Sequence, residues 1–163
     1  MSERRDKINY YLDIAETVAK RGTCLRRNYG AIIVQNDEII STGYVGSPRG
    51  ASNCIDLGYC HREQLNVERG TRYELCKSVH AEMNCIISAS RKDMIGSTLY
   101  LCGKEAKDGS YVKNSEPCVL CKRMIINAGI ETVIIRDTED QYRVIKVSDW
   151  LEEEDKHLDK IGY

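Results

Sequence analysis

Between residues 5 and 21, Ile8, Tyr11, Leu12, Ala15, Val18 and Ala19 recur at intervals of three and four. That spacing predicts an amphipathic first helix, ended by Gly22. The period then changes. Residues 29–36 are apolar and β-branched, Asn36-Asp37 is a turn signal, and residues 38–44 resume a strand pattern, so a hairpin is expected. Residues 45–78 are rich in Gly, Cys, Arg and Asn and hold no sustained period. A stretch of that length inside a small domain needs something to hold it. A helical pattern follows over 80–92, a strand over 97–102, and a polar loop or second hairpin over 103–116. Next come a helix over 118–128, a Gly129 stop and a strand over 132–136. Two helix-to-strand alternations after an opening hairpin predict an α/β fold, a mixed sheet layered with helices. The charged tail after Trp150 reads as a short helix or a mobile end, with Trp150 as anchor and His157 solvated.

Composition narrows the function. The chain has 163 residues, of which 42% are hydrophobic, so one domain over 1–163 with a real core is expected. Lys and Arg number 24 against 25 acidic residues, a net charge of -1. That balance argues against a basic surface tracking polymeric nucleic acid, and leaves room for a small charged pocket. No apolar run approaches the roughly 18–20 residues needed to cross a bilayer, so no membrane partner is expected. The start leads into an amphipathic segment and does not read as a secretion signal, so a cytoplasmic location is expected. The eight cysteines are then better read for metal binding than for disulfides.

The chemistry concentrates in His80-Ala81-Glu82 and Pro117-Cys118-Val119-Leu120-Cys121. One imidazole and two thiolates give zinc three ligands and leave a fourth position open, as catalytic zinc requires. Cys118 and Cys121 share one helix face. Pro117 suits a helix start, which puts both sulfurs near the positive end of the helix dipole and favours thiolates. Glu82 is close enough to reach a metal-activated water without being a ligand, and could carry a proton from it to a ring nitrogen and a leaving amine. This H-x-E…P-C-x-x-C arrangement is the signature of zinc deaminases of nucleobases.

Over residues 8–136 the chain resembles the deoxycytidylate (dCMP) deaminases of the cytidine deaminase-like superfamily. The likeness is carried by Cys24-Leu25-Arg26, residues 29–34, Gly43-Tyr44-Val45-Gly46-Ser47-Pro48, His80-Ala81-Glu82-Met83-Asn84, Thr98-Leu99-Tyr100 and Pro117-Cys118…Cys121. The resemblance implies a three-layer α/β/α sandwich with a five-stranded mixed sheet and hydrolysis of dCMP to dUMP and ammonia. It also implies a cytosine mononucleotide as small-molecule substrate, and a homo-oligomer, dimer or hexamer. It assigns substrate contacts to Arg26, to the loop of Val45 and Ser47, and to Ala81. Two departures stand out. Val45 takes the place of the family's Asn, whose side chain would bind the sugar hydroxyl, and valine can neither donate nor accept. The polar insert at 103–116 lengthens the path from strand to Pro-Cys, where it could serve as a lid or an oligomer contact.

Of the remaining cysteines, Cys85 and Cys102 fall in predicted core positions. Cys24, Cys54, Cys60 and Cys76 flank or lie within the irregular stretch. A second, structural zinc on these four would supply folding free energy where secondary structure does not, and some bacterial and phage members of the resembled family carry an extra zinc in similar places. His61 is an alternative ligand. Two other functions stay open at this point. One is deamination of another small amino-substituted base or a modified cytosine nucleotide. The other is a non-catalytic zinc-binding interaction module, against which Glu82 speaks.

Overall fold

The apolar run near residue 30 is nearly continuous because both faces of its strand are covered. In the computed structural model, which describes residues 3–158, strands β1 (Arg27–Gln35), β2 (Glu38–Tyr44), β3 (Thr98–Glu105), β4 (Thr132–Arg136) and β5 (Tyr142–Lys146) form one sheet ordered β2-β1-β3-β4-β5. Only β3 and β4 run parallel; the other pairs are antiparallel. Alternate residues sort into two cores. Ile32, Val34, Tyr100, Cys102 and Ile134 pack under helix α1 (Lys7–Ala19) through Tyr11, Leu12 and Ala15. Ala31, Ile33, Leu99, Leu101, Val133 and Ile135 meet the opposite layer: α4 (Ala81–Ile87), α5 (Arg91–Met94), α6 (Val119–Ala128) and α7 (Val147–Leu158). The expected α/β/α sandwich with a five-stranded mixed sheet is therefore observed.

Several elements differ from the sequence-based expectation, each for a local reason. The helix expected over 80–92 is two helices, because Ser90 caps α5 through a bond from the Asp93 N–H to its hydroxyl. Strand β5 was not expected from periodicity. It is a sheet edge whose Val144 is exposed and whose neighbours include Arg143 and Lys146, so no apolar alternation marks it. The 103–116 insert is the hairpin alternative: β3 runs on to Glu105, Glu105 N–H donates to Ser110 O (2.7 Å), and Val112 N–H donates back to Gly103 O (3.0 Å). The tail is helix α7, held by a buried Trp150. The side chain of His157 lies outside the described residues.

The irregular stretch contains two short helices, α2 (Cys54–Leu57) and α3 (His61–Gln64), and a 3-10 turn at Tyr73–Leu75. Its two ends are tied together by reciprocal bonds between Gly46 and Val79 (3.2 and 2.7 Å). The segment is thus a closed loop standing beside the sheet, and the residue that follows its closure is His80.

Candidate metal centre and active site

Helix α4 carries His80 and Glu82, and its position is set by how closely it lies on the hairpin. Gly43 of β2 has no room for a side chain: a Cβ there would sit 2.4 Å from the Ala81 carbonyl oxygen and 2.5 Å from the Cys85 nitrogen. Three polar contacts lock this approach. Ser41 Oγ donates to Cys85 O (2.6 Å), Asn84 Nδ2 donates to Tyr44 O (2.9 Å), and Cys85 Sγ donates to Ala31 O (3.1 Å). Across the same face, Cys118 is the N-cap of α6, with its sulfur accepting from the Cys121 N–H (3.4 Å). Pro117 stands one residue ahead of that cap, and both sulfurs lie at the helix N-terminus as the sequence predicts.

His80 is the N-cap of α4. The imidazole Nδ1 lies 3.4 Å from Cys118 Sγ and 3.3 Å from Cys121 Sγ. These three donors are the one such group among the described residues whose atoms all fall within 4.8 Å of one another. The spacing fits zinc. Bonds of about 2.3 Å to sulfur and about 2.05 Å to nitrogen at a tetrahedral angle put the two donors about 3.5 Å apart. The electrostatics agree. The contact from Cys121, helped by His80, holds the Cys118 thiol down at about 4 against the effect of burial. Cys118 and Cys76 push His80 up to about 10. The Cys118 contact and burial push the Cys121 thiol up, so one thiolate faces one imidazolium here, and a zinc ion would displace the protons of His80 and Cys121. Glu82 is 4% exposed, and burial pushes its carboxyl above the usual range although the His80 charge opposes this.

His80, Glu82 and Cys118 open onto a cleft of about 280 Å³. The expected contacts Arg26, Val45 and Ala81 line it. Val45 is buried, and its N–H is committed to Tyr29 O (3.2 Å). Arg26 is paired with Glu63 (3.0 Å). Ser47 is outside this lining: its N–H contacts Asn53 Oδ1 (3.3 Å) and its buried hydroxyl has no partner. Cys24, Cys60 and Cys76 line the cleft, and Cys54 lies within electrostatic reach of all three. His61 lines a neighbouring cavity with Cys54 and Cys76.

Sequence reasoning missed Tyr29, Arg27, Arg62, Arg69 and Tyr73, all of which line the cleft. Tyr73 meets the His80 ring edge-on at 5.6 Å. Tyr29 lies over Gly103, where a Cβ would come within 2.4 Å of its ring. The pairing of Gly103 with an aromatic across β1 and β3 is the kind of signal that points to Tyr29; nothing periodic marks the others.

Residues 5–136 match the family model described as the cytidine and deoxycytidylate deaminase zinc-binding region. The chain belongs to this family. Among relatives of this deaminase family, the deoxycytidylate deaminase of Mycobacterium phage D29 is 34% identical over 136 residues, 80% of this chain and 94% of that protein. The deoxycytidylate deaminase of Schizosaccharomyces pombe is 31% identical over 126 residues, 77% of this chain, of which this chain spans only 35%. Among solved structures, the dCMP deaminase of cyanophage S-TIM5 in complex with dCMP and dUMP is 26% identical, with a TM-score of 0.59 over 83% of this chain and 85% of that one. Cytidine deaminase from Burkholderia pseudomallei shares the fold at 15% identity and a TM-score of 0.54, over 86% of this chain and 92% of that one.

Proposed function

We propose that the protein hydrolyses the amino group of a cytosine mononucleotide, converting dCMP and water into dUMP and ammonia. The observation that carries this reading is the buried, non-ligand Glu82 carboxyl beside the His80–Cys118–Cys121 triangle, at the wall of a cleft that also gathers arginines. His80, Cys118 and Cys121 would hold a zinc ion, which would supply the Lewis acidity that brings the pKa of water towards neutrality. Glu82 takes the proton from water at one carboxylate oxygen and holds it away from solvent. It passes that proton to the ring nitrogen, then takes the second proton of the same water from the adduct's hydroxyl and gives it to the departing amine. The water oxygen bonds to the ring carbon, the carbon–nitrogen bond breaks, and ammonia leaves. Ala81 and Val45 present apolar wall to the substrate, Ser47 supports the loop behind it, and Arg26 offers a guanidinium to the phosphate.

The D29 phage relative and the S-TIM5 complex support this substrate class by their names and ligands. The same proposal includes a structural zinc on Cys24, Cys54, Cys60 and Cys76; Cys24, Cys60 and Cys76 line one cleft with Cys54 nearby, although the four do not lie as close together as the His80 triangle. It also includes a cytoplasmic location and a homo-oligomer, dimer or hexamer, the association supported by the exposed apolar side chains of Ile87 and Ile95. Among the described residues no helix is long and apolar enough to cross a membrane. A second reading, a modified cytosine nucleotide or another amino-substituted base, draws on Val45, which leaves the sugar without the family's hydrogen-bonding side chain.

The test is ammonia release with dCMP, CMP, deoxycytidine, dCTP and 5-substituted dCMP, together with zinc per chain. Preferred turnover of dCMP with about two zinc per chain is expected. A zinc-loaded protein that turns over no cytosine compound would overturn the reading.

A further inference from the structure

Arg62, on α3, is a buried arginine that forms no ion pair with a carboxylate of the described residues. It is 9% exposed, yet no carboxylate of the described residues lies within 4.0 Å of it. Of the three other arginines of the cleft, Arg26 is paired with Glu63 (3.0 Å) and Arg27 with Glu105 (3.1 Å), while Arg69 is exposed to solvent. Arg62 instead donates from Nη2 to two backbone carbonyls, Glu68 O (3.3 Å) and Thr71 O, and lies over the Tyr73 ring at 5.1 Å. These contacts fix the guanidinium in place and leave its charge intact. Its Nε and the Ser78 hydroxyl, both shut off from solvent, have no hydrogen-bond partner, while both residues belong to the cleft wall. A buried charge is costly unless it is paired, and a guanidinium has five N–H groups to satisfy. The open side from which a partner for this charge can come is the cleft that Arg62 lines.

We propose that Arg62 is a substrate-specificity residue that binds the phosphate of the mononucleotide, with the closed loop of residues 46–79 serving as the wall that presents it. This rests on the deaminase reading above and deepens it. The carbonyls of Glu68 and Thr71 preorganise the guanidinium, so little ordering remains to be done when the anion arrives. Arg26, held by an exposed Glu63 on the same short helix, is a weaker anchor because its charge is already shared. The other negative group within reach is the Cys76 side chain, which feels the Arg62 charge; the experiment separates the two.

The zinc-loaded full chain is compared with Arg62→Gln and Arg62→Lys. The readouts are kcat and KM for dCMP and for deoxycytidine, the thermal shift produced by inorganic phosphate, and zinc per chain. Loss of a charge-assisted hydrogen bond predicts that Arg62→Gln raises KM for dCMP by roughly 10- to 100-fold, with kcat for dCMP changed far less. The preference for dCMP over deoxycytidine falls by the same factor, the phosphate shift disappears, and Arg62→Lys recovers part of both. An unchanged preference overturns the proposal. So does an equal fall for both substrates with the phosphate shift retained, which would mark Arg62 as a loop anchor only. Loss of one zinc per chain at unchanged preference would assign its charge to the cysteines and also overturn it. If the parent turns over neither compound, the deaminase reading fails separately, and loss or retention of the phosphate shift in Arg62→Gln still decides the anion site.

Discussion

Substituting Gly43 by alanine tests whether the hairpin positions the chemistry. The added Cβ would meet the Ala81 oxygen at 2.4 Å and the Cys85 nitrogen at 2.5 Å, where ordinary contact begins at 3.4 Å. Both atoms belong to the backbone, so α4 must retreat by about 1 Å, the difference between 3.4 and 2.4 Å. Overpacking of this kind costs about 1–3 kcal/mol. For a chain of this size that lowers Tm by roughly 3–10 °C. His80 and Glu82 move with the helix, and a displacement of about 1 Å at a reacting group can cost about 100-fold in rate. The assay is kcat/KM for dCMP with Tm by calorimetry, using Thr42→Ala on the exposed face of the same strand as control. Parent-like kcat/KM in Gly43→Ala would refute the argument that this contact sets the active geometry, even if Tm falls.

Other consequences follow from the same geometry. Ser41→Ala leaves the buried Cys85 carbonyl short of a partner (2.6 Å in the parent) and should cost about 1–3 kcal/mol in denaturant unfolding. Arg136, 1% exposed, joins Asp13 (2.8 Å) and Glu16 (3.4 Å) under α1, so Arg136→Met should destabilise by about 2 kcal/mol, below the cost of a fully buried pair because Asp13 is partly solvated. Burial pushes Glu16 up, but bonds from Lys104 and Tyr111 and the charges of Lys104 and Arg136 prevail, so its carboxyl stays below the usual range. A lowered carboxyl stabilises the fold above its unfolded pKa of about 4.3 and loses that contribution as pH falls through the folded value. Tm should therefore drop below about pH 4.3, with a shallower slope in Glu16→Gln; an identical slope would exclude Glu16 as a source. Removing metal with a chelator should abolish turnover and zinc should restore it.

How far the sequence could be read depended on whether an element was decided locally. Helix α1, the β1–β2 hairpin, β4 and the Gly129 stop were legible because period, turn residues and a left-handed glycine cap (φ 83°) all act over a few residues. The metal triangle was legible because ligand type and spacing are chemical requirements. Strand β5 was not, since an edge strand with charged neighbours gains its pairing from β4 and not from its own pattern. The break at residues 88–90 turned on a single serine cap. Arg62 and Tyr73 were hidden for a third reason. Their place in the cleft depends on the Gly46–Val79 closure and on backbone carbonyls of residues 68 and 71, contacts that leave no periodic trace.

The central claim is that Glu82 moves the proton while His80, Cys118 and Cys121 hold the metal. Its most direct measurement is dUMP and ammonia formed from dCMP by the parent and by Glu82→Gln, with bound zinc determined on the same samples. Stoichiometric dUMP and ammonia from the parent, and no turnover by a variant that keeps its zinc, is the predicted result. Equal turnover by a zinc-loaded Glu82→Gln would contradict it.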